Sequence, residues 1–153
     1  MNPEALAKQL ADIKTIKDFA EIRSMLQHWN KPDLFSVLFA MASDHKAYPW
    51  PVYSVATDLL VSLEPPCPFT CREALLQLGK GHVEASLKRL PFYLVAEFGR
   101  VQVLKEADAL LAEPGVDEQT REALSTVKYW VRAPASALVG GYFHLWEKWD
   151  HPN

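Results

Sequence analysis

Apolar side chains recur along this chain at steps of three and four, the spacing that lines one face of an α-helix. Strand-like alternation is short and rare. The pattern predicts a first helix from Pro3 to about Ala11, with the proline in its first turn. Thr15 is the expected N-cap of a second helix reaching Trp29, whose stripe is Ile16, Phe19, Ile22 and Leu26. Pro32 starts a third. Its Leu34, Phe35, Leu38, Phe39, Met41 and Ala42 cover nearly every side, so it belongs deep in the core. The stiff Tyr48-Pro49-Trp50-Pro51 breaks the run, and a helix from Val52 to Leu63 follows.

Pro65-Pro66-Cys67-Pro68 is excluded from any helix interior. Thr70 caps a helix over Arg72 to Leu78, ended by Gly79 and Gly81. From Val83 to Phe98 the pattern is again helical, kinked or split at Pro91, with Gly99 as punctuation. Arg100 to Ala112 is amphipathic, Pro114-Gly115 turns, and Asp117 caps a helix through Val131. Pro134 opens a last helix with Leu138, Tyr142, Leu145 and Trp149 on one stripe.

The stretch from Asp58 to Leu75 is echoed by Asp108 to Leu124. Asp58 and Leu60 match Asp108 and Leu110 at an offset of 50. Glu64-Pro65 and Arg72-Glu73-Ala74-Leu75 match Glu113-Pro114 and Arg121-Glu122-Ala123-Leu124 at 49. Eight of seventeen aligned pairs are identical, where unrelated sequence gives roughly one. Phe92-Tyr93 faces Tyr142-Phe143, and Glu97 faces Glu147, at 50; upstream, Arg23 and Leu26 precede Arg72 and Leu75 by 49. Recurring Ala, Leu and Glu are common in any helical protein, but the order helix, Glu-Pro, loop, helix is more specific. In this respect the chain resembles the HEAT and armadillo class of α-helical repeats. The resemblance implies an all-α stack of about seven to nine helices wound as a right-handed superhelix. The length predicts one domain over residues 1–153, within which the echo marks imperfect repeats near 15–64, 65–113 and 114–150. A layer of this kind binds other macromolecules, and the resemblance brings no catalytic residues.

Composition narrows the partners. The apolar fraction is 49% and the charged fraction 23%, ordinary for a globular protein. Sixteen basic against nineteen acidic side chains give a net charge of −3, which disfavours nonspecific nucleic-acid binding. The opening MNPEALAKQLADIK lacks the apolar stretch of a signal peptide, and no run of 18 apolar residues exists. The expectation is a cytoplasmic protein without a membrane span.

Candidate chemistry is sparse. Cys67 and Cys71 form a single C-x3-C pair with His82 beyond it, whereas zinc ordinarily needs two close pairs. His28, His45, His82, His144 and His151 form no metal-binding spacing, and no phosphate loop exists around Gly79, Gly81 or Gly140-Gly141. No cofactor or metal is expected. Asp44-His45 reads first as a polar cluster at a helix end. With a cysteine in a deep pocket, it would instead mark a small enzyme.

Aromatic residues form two groups: Tyr48, Trp50 and Tyr53, then Tyr129, Trp130, Tyr142, Phe143, Trp146 and Trp149. They serve either as core or as binding anchors. Carboxylates from Glu106 to Glu122 form either a solvated face or a surface for a basic partner. In size, charge and fold the chain resembles the small immunity proteins of bacterial toxin systems, which implies a non-catalytic module that neutralises a cognate protein. The expected contacts are Trp50, Tyr53, Glu97, Trp146 and Glu147. The alternatives are the small helical enzyme and a homo-oligomeric adaptor.

Overall fold

The computed structural model describes residues 2–85, 88–138 and 141–149, the side chain of Phe143 excepted. The described residues form eight α-helices and no strand. They are α1 (Pro3–Ala11), α2 (Ile16–Leu26), α3 (Lys31–Ala42), α4 (Trp50–Leu63), α5 (Cys71–Lys80), α6 (Arg89–Phe98), α7 (Arg100–Leu111) and α8 (Glu118–Val131). Two short 3-10 segments follow, Ala135–Leu138 and Phe143–Lys148.

Most helix starts are set by side chains that satisfy the free N–H groups of a first turn. Asn2, Thr15, Asn30, Thr70 and Asp117 each accept such a hydrogen bond. At α2 and α5 the bond is reciprocated by Asp18 and Glu73, closing capping boxes. Pro51 falls in the first turn of α4, where its missing N–H costs nothing, so that helix starts two residues before the expected Val52. The second helix stops at Leu26 rather than Trp29.

Two expectations are corrected. The stretch from Val83 to Lys88 is not α-helix in any described residue; His82 before it forms an isolated bridge with Asp44, and Ala85 within it is held by Trp130. Pro91 accordingly lies in the first turn of α6 and breaks nothing. The last helix is two 3-10 segments, although Leu138, Leu145 and Trp149 are buried as the stripe required. The stripe's steps of 4, 3 and 4 follow the α-helical period, yet its buried members are supplied from two separate 3-10 segments and the turn after them. Ser86, Leu87, Gly140, Asp150 and His151, all within earlier expectations, lie outside the described residues.

Helix α6 is the centre. Leu90 to Val95 are all buried, and the helix packs on α4, α7, α8 and the second 3-10 segment. Around it, α3 packs on α4, α5 on α8 and α7, α7 on α8, and α1 on α4. One contiguous apolar core runs from Leu6 to Trp149. The α5–α8 contact is unusually close. Gly79 is buried there, and a Cβ on it would sit 2.4 Å from Thr120 Oγ1.

The echoed residues do different work in the two copies. Arg72 pairs with Glu113, whereas Arg121 donates to the carbonyl of Leu111 at the end of α7 and to those of Glu113 and Val116 in the turn after it. Asp58 pairs with Arg89, and Asp108 with Lys128. Among the described residues no helix is long and apolar enough to cross a membrane.

Candidate functional site

An aromatic strip crosses the molecule from the start of α4 to the end of α8. Trp50 is 54% exposed and meets buried Tyr53 edge-on, with ring centroids 5.3 Å apart. One turn of α4 places both on the same side. Tyr53 faces His45 at 6.1 Å, and His45 faces His82 at 6.4 Å. The loop from His82 to Ala85 carries the strip onward to Trp130, whose indole N–H donates to the Ala85 carbonyl at 2.8 Å. Trp130 in turn meets Tyr129, 70% exposed, at 5.0 Å.

The loop is held from several sides. His45 N–H donates to the His82 carbonyl at 2.9 Å. The Gln119 amide donates to the Gly81 carbonyl at 2.6 Å. Gly81 must be glycine, because a Cβ would lie 2.3 Å from the Ser43 carbonyl oxygen. Tyr53 is kept neutral to higher pH than usual, first by burial and then by the nearby Glu84 carboxylate. Beside the loop, a hollow of about 380 Å³ is lined by His82, Val83, Ala85 and the α8 side chains Glu118, Arg121 and Glu122.

The Asp44–His82 pair lies within the strip. His82 Nδ1 approaches Asp44 Oδ1 at 3.4 Å yet makes no hydrogen bond, although that nitrogen is buried. The Asp44 oxygen instead accepts from the N–H groups of Lys46 and Ala47, closing the turn after α3. The cysteine needed for an Asp-His-Cys site is elsewhere. Cys71 is buried with its Sγ 3.9 Å from the Gln102 carbonyl, and burial pushes its thiol up to about 12. Burial also raises Cys67. Both shifts oppose thiolate formation, the reverse of what a nucleophile requires. Among the described residues no group of three or more His, Cys, Asp and Glu side chains is placed to hold a metal ion.

The five expected contacts are dispersed. Trp50 and Tyr53 belong to the strip. Trp146 and Glu147 sit on the second 3-10 segment, Trp146 half-buried against the core and Glu147 exposed. Glu97 is half-buried and turned inward. Its Oε1 accepts the Cys67 N–H at 2.6 Å and lies 3.5 Å from the Tyr93 hydroxyl. Burial raises its carboxyl above the ordinary value, against the pull of the Cys67 N–H. A sequence signal for this existed: Pro65, Pro66 and Pro68 lack N–H groups, so Cys67 holds the sole backbone donor of that stretch and needs an acceptor. His82 was weighed for metal binding alone, and Ala85 and Gln119 were missed; together they join the two aromatic groups. Neither a family model, nor a curated protein, nor a solved structure matches the chain.

Proposed function

We propose that this chain is a non-catalytic protein-binding module that covers and neutralises a cognate protein, a bacterial toxin being the type of partner in view. The observation that carries the reading is the stapled strip from Trp50 to Tyr129, with aromatic rings exposed at both ends on helices α4 and α8 that a fixed loop joins. Rigid aromatic anchors lose little conformational freedom on binding, so more of their burial is kept as affinity. Exposed Glu118 and Glu122 beside the strip favour a basic partner surface and faster association. Trp146 and Glu147 extend the contact as a secondary patch, and the helices form a HEAT-like superhelix that presents both.

The test is capture of a partner from the source cell, followed by calorimetry. Trp50→Ala and Tyr129→Ala are each expected to weaken binding by about 1–2 kcal/mol or more. Trp146→Ala with Glu147→Lys adds a smaller loss. Unchanged affinity in the Trp50 and Tyr129 variants, both folded by circular dichroism, refutes the assignment.

A further inference from the structure

A different face carries a polar cleft of about 610 Å³ that the protein-binding reading does not use. Four elements build it. Helix α2 contributes Phe19 and Arg23, one turn apart, and α4 contributes Asp58, Val61 and Ser62 with Glu64 at its C-cap. Arg89 enters from the first turn of α6, and Tyr142 and His144 close the far wall.

The charges on these walls are arranged in two ways. Arg89 has three partners: it lies 2.7 Å from Asp58, 2.9 Å from the Tyr142 hydroxyl and 3.3 Å from Ser54. It is a fixed strut whose charge Asp58 cancels. Arg23 and Glu64 are not settled in this way. Among the described residues the recorded partner of the Arg23 guanidinium is the Ser62 hydroxyl, which brings no negative charge. Glu64 faces His144 at 3.6 Å, a full ion pair solely when that imidazole is protonated. Glu64 also holds a left-handed backbone, φ 44°, where glycine is the unstrained choice. The result of that strain is a carboxylate at the rim of the cleft.

An anion drawn to Arg23 would be repelled by Glu64 two residues from Ser62, and a cation drawn to Glu64 would be repelled by Arg23. A ligand carrying both signs satisfies both. Phe19 and Val61 add apolar lining to the same cleft. We propose that this cleft binds a small zwitterion with an apolar side chain, an amino acid or short peptide, its carboxylate on Arg23 and its ammonium on Glu64.

The test is a series of ¹⁵N–¹H NMR titrations with L-leucine, L-leucyl-L-leucine, N-acetyl-L-leucine and L-leucinamide. The two zwitterions should shift the amides of Arg23, Ser62, Glu64 and Tyr142 saturably, and the tighter of them fixes the preferred length. Capping either end should weaken binding about tenfold or more, the worth of one charge-assisted hydrogen bond. Both Arg23 and Glu64 are exposed, so their substitution leaves the core intact. Arg23→Gln should bring leucine down to the level of leucinamide, and Glu64→Gln should bring it down to that of N-acetyl-leucine. Capped compounds binding as well as leucine, or no saturable shift at the cleft with either zwitterion, overturns the proposal. Neither result bears on the aromatic strip.

Discussion

Replacing Gly79 by alanine sets two effects of known size against each other. In a free helix the change stabilises by about 1 kcal/mol, because glycine is the poorer helix former. Here the added Cβ would meet Thr120 Oγ1, Cγ2 and Cβ at 2.4, 2.7 and 2.8 Å. Carbon contacts are normally about 3.5–4.0 Å, so α5 and α8 must separate by about 1 Å. Turning the Thr120 side chain relieves two of the three contacts and leaves its Cβ in place. Overpacking costs about 1–3 kcal/mol, and the upper half of that range applies where rotation offers no escape. The net expectation is a loss of about 1–2 kcal/mol. Urea unfolding followed by circular dichroism reads it directly. With a slope of about 2 kcal/mol per molar, the midpoint falls by about 0.5–1 M and the slope is unchanged. Thr120→Ala should recover part of the loss in the double variant, since it removes two of the three contacting atoms. Gly115, with nothing within 4 Å of its Cβ position, serves as the control and should tolerate alanine. A Gly79→Ala protein more stable than the parent would refute the close α5–α8 approach.

Trp149→Ala should cost about 3–5 kcal/mol in the same assay, because the ring is buried against Phe92 at 5.0 Å and its N–H donates to Ala133; an effect under about 1 kcal/mol would remove Trp149 from the core. Burial raises Glu97 above its ordinary 4.5, so the folded state holds that proton more tightly; its stabilising contribution is present below 4.5 and is lost as pH rises through the folded value. Glu97→Gln keeps an acceptor for Cys67 N–H and should flatten the fall of the thermal midpoint as pH rises above 4.5, whereas an unaltered slope would contradict the assignment. Cys71, with its thiol pushed up to about 12, should resist iodoacetamide at neutral pH by intact-mass analysis until the protein is unfolded; rapid labelling of the native protein would show the burial to be wrong.

Local chemistry was legible in the sequence, and long-range chemistry was not. Thr15, Thr70 and Asp117 announce helix starts within a few residues of themselves, and the structure uses all three as caps. The stripe of Leu138, Leu145 and Trp149 correctly marked a buried side. It could not fix the helix type, which depends on how Arg89 and the Phe92 ring receive Tyr142 and Trp149. Val83 looked helical because it is apolar, yet it reaches the core from a loop held by His45 and Gln119, residues 37 positions to either side of His82. The same tertiary bonds unite the two aromatic groups, so each group was visible in the sequence while the strip they form was not. Glu97 was expected as a partner contact, but the proline loop's lone donor turned it inward.

Arg100, the first residue of α7, donates to the carbonyls of Val131, Arg132 and Trp149. One side chain thus ties the end of α8 to the last described turn, and Trp149 then covers Phe92. This fastening imposes an order on synthesis. As the chain leaves the ribosome, α1 to α8 can gather while Phe92 stays uncovered and Arg100 lacks one of its acceptors. Until the residues around Tyr142 and Trp149 have been made, the nascent protein carries an apolar gap of the kind that chaperones and proteases recognise. The wall formed by Tyr142 and His144 is missing until those residues emerge, so the polar cleft forms after the helices that carry its other walls.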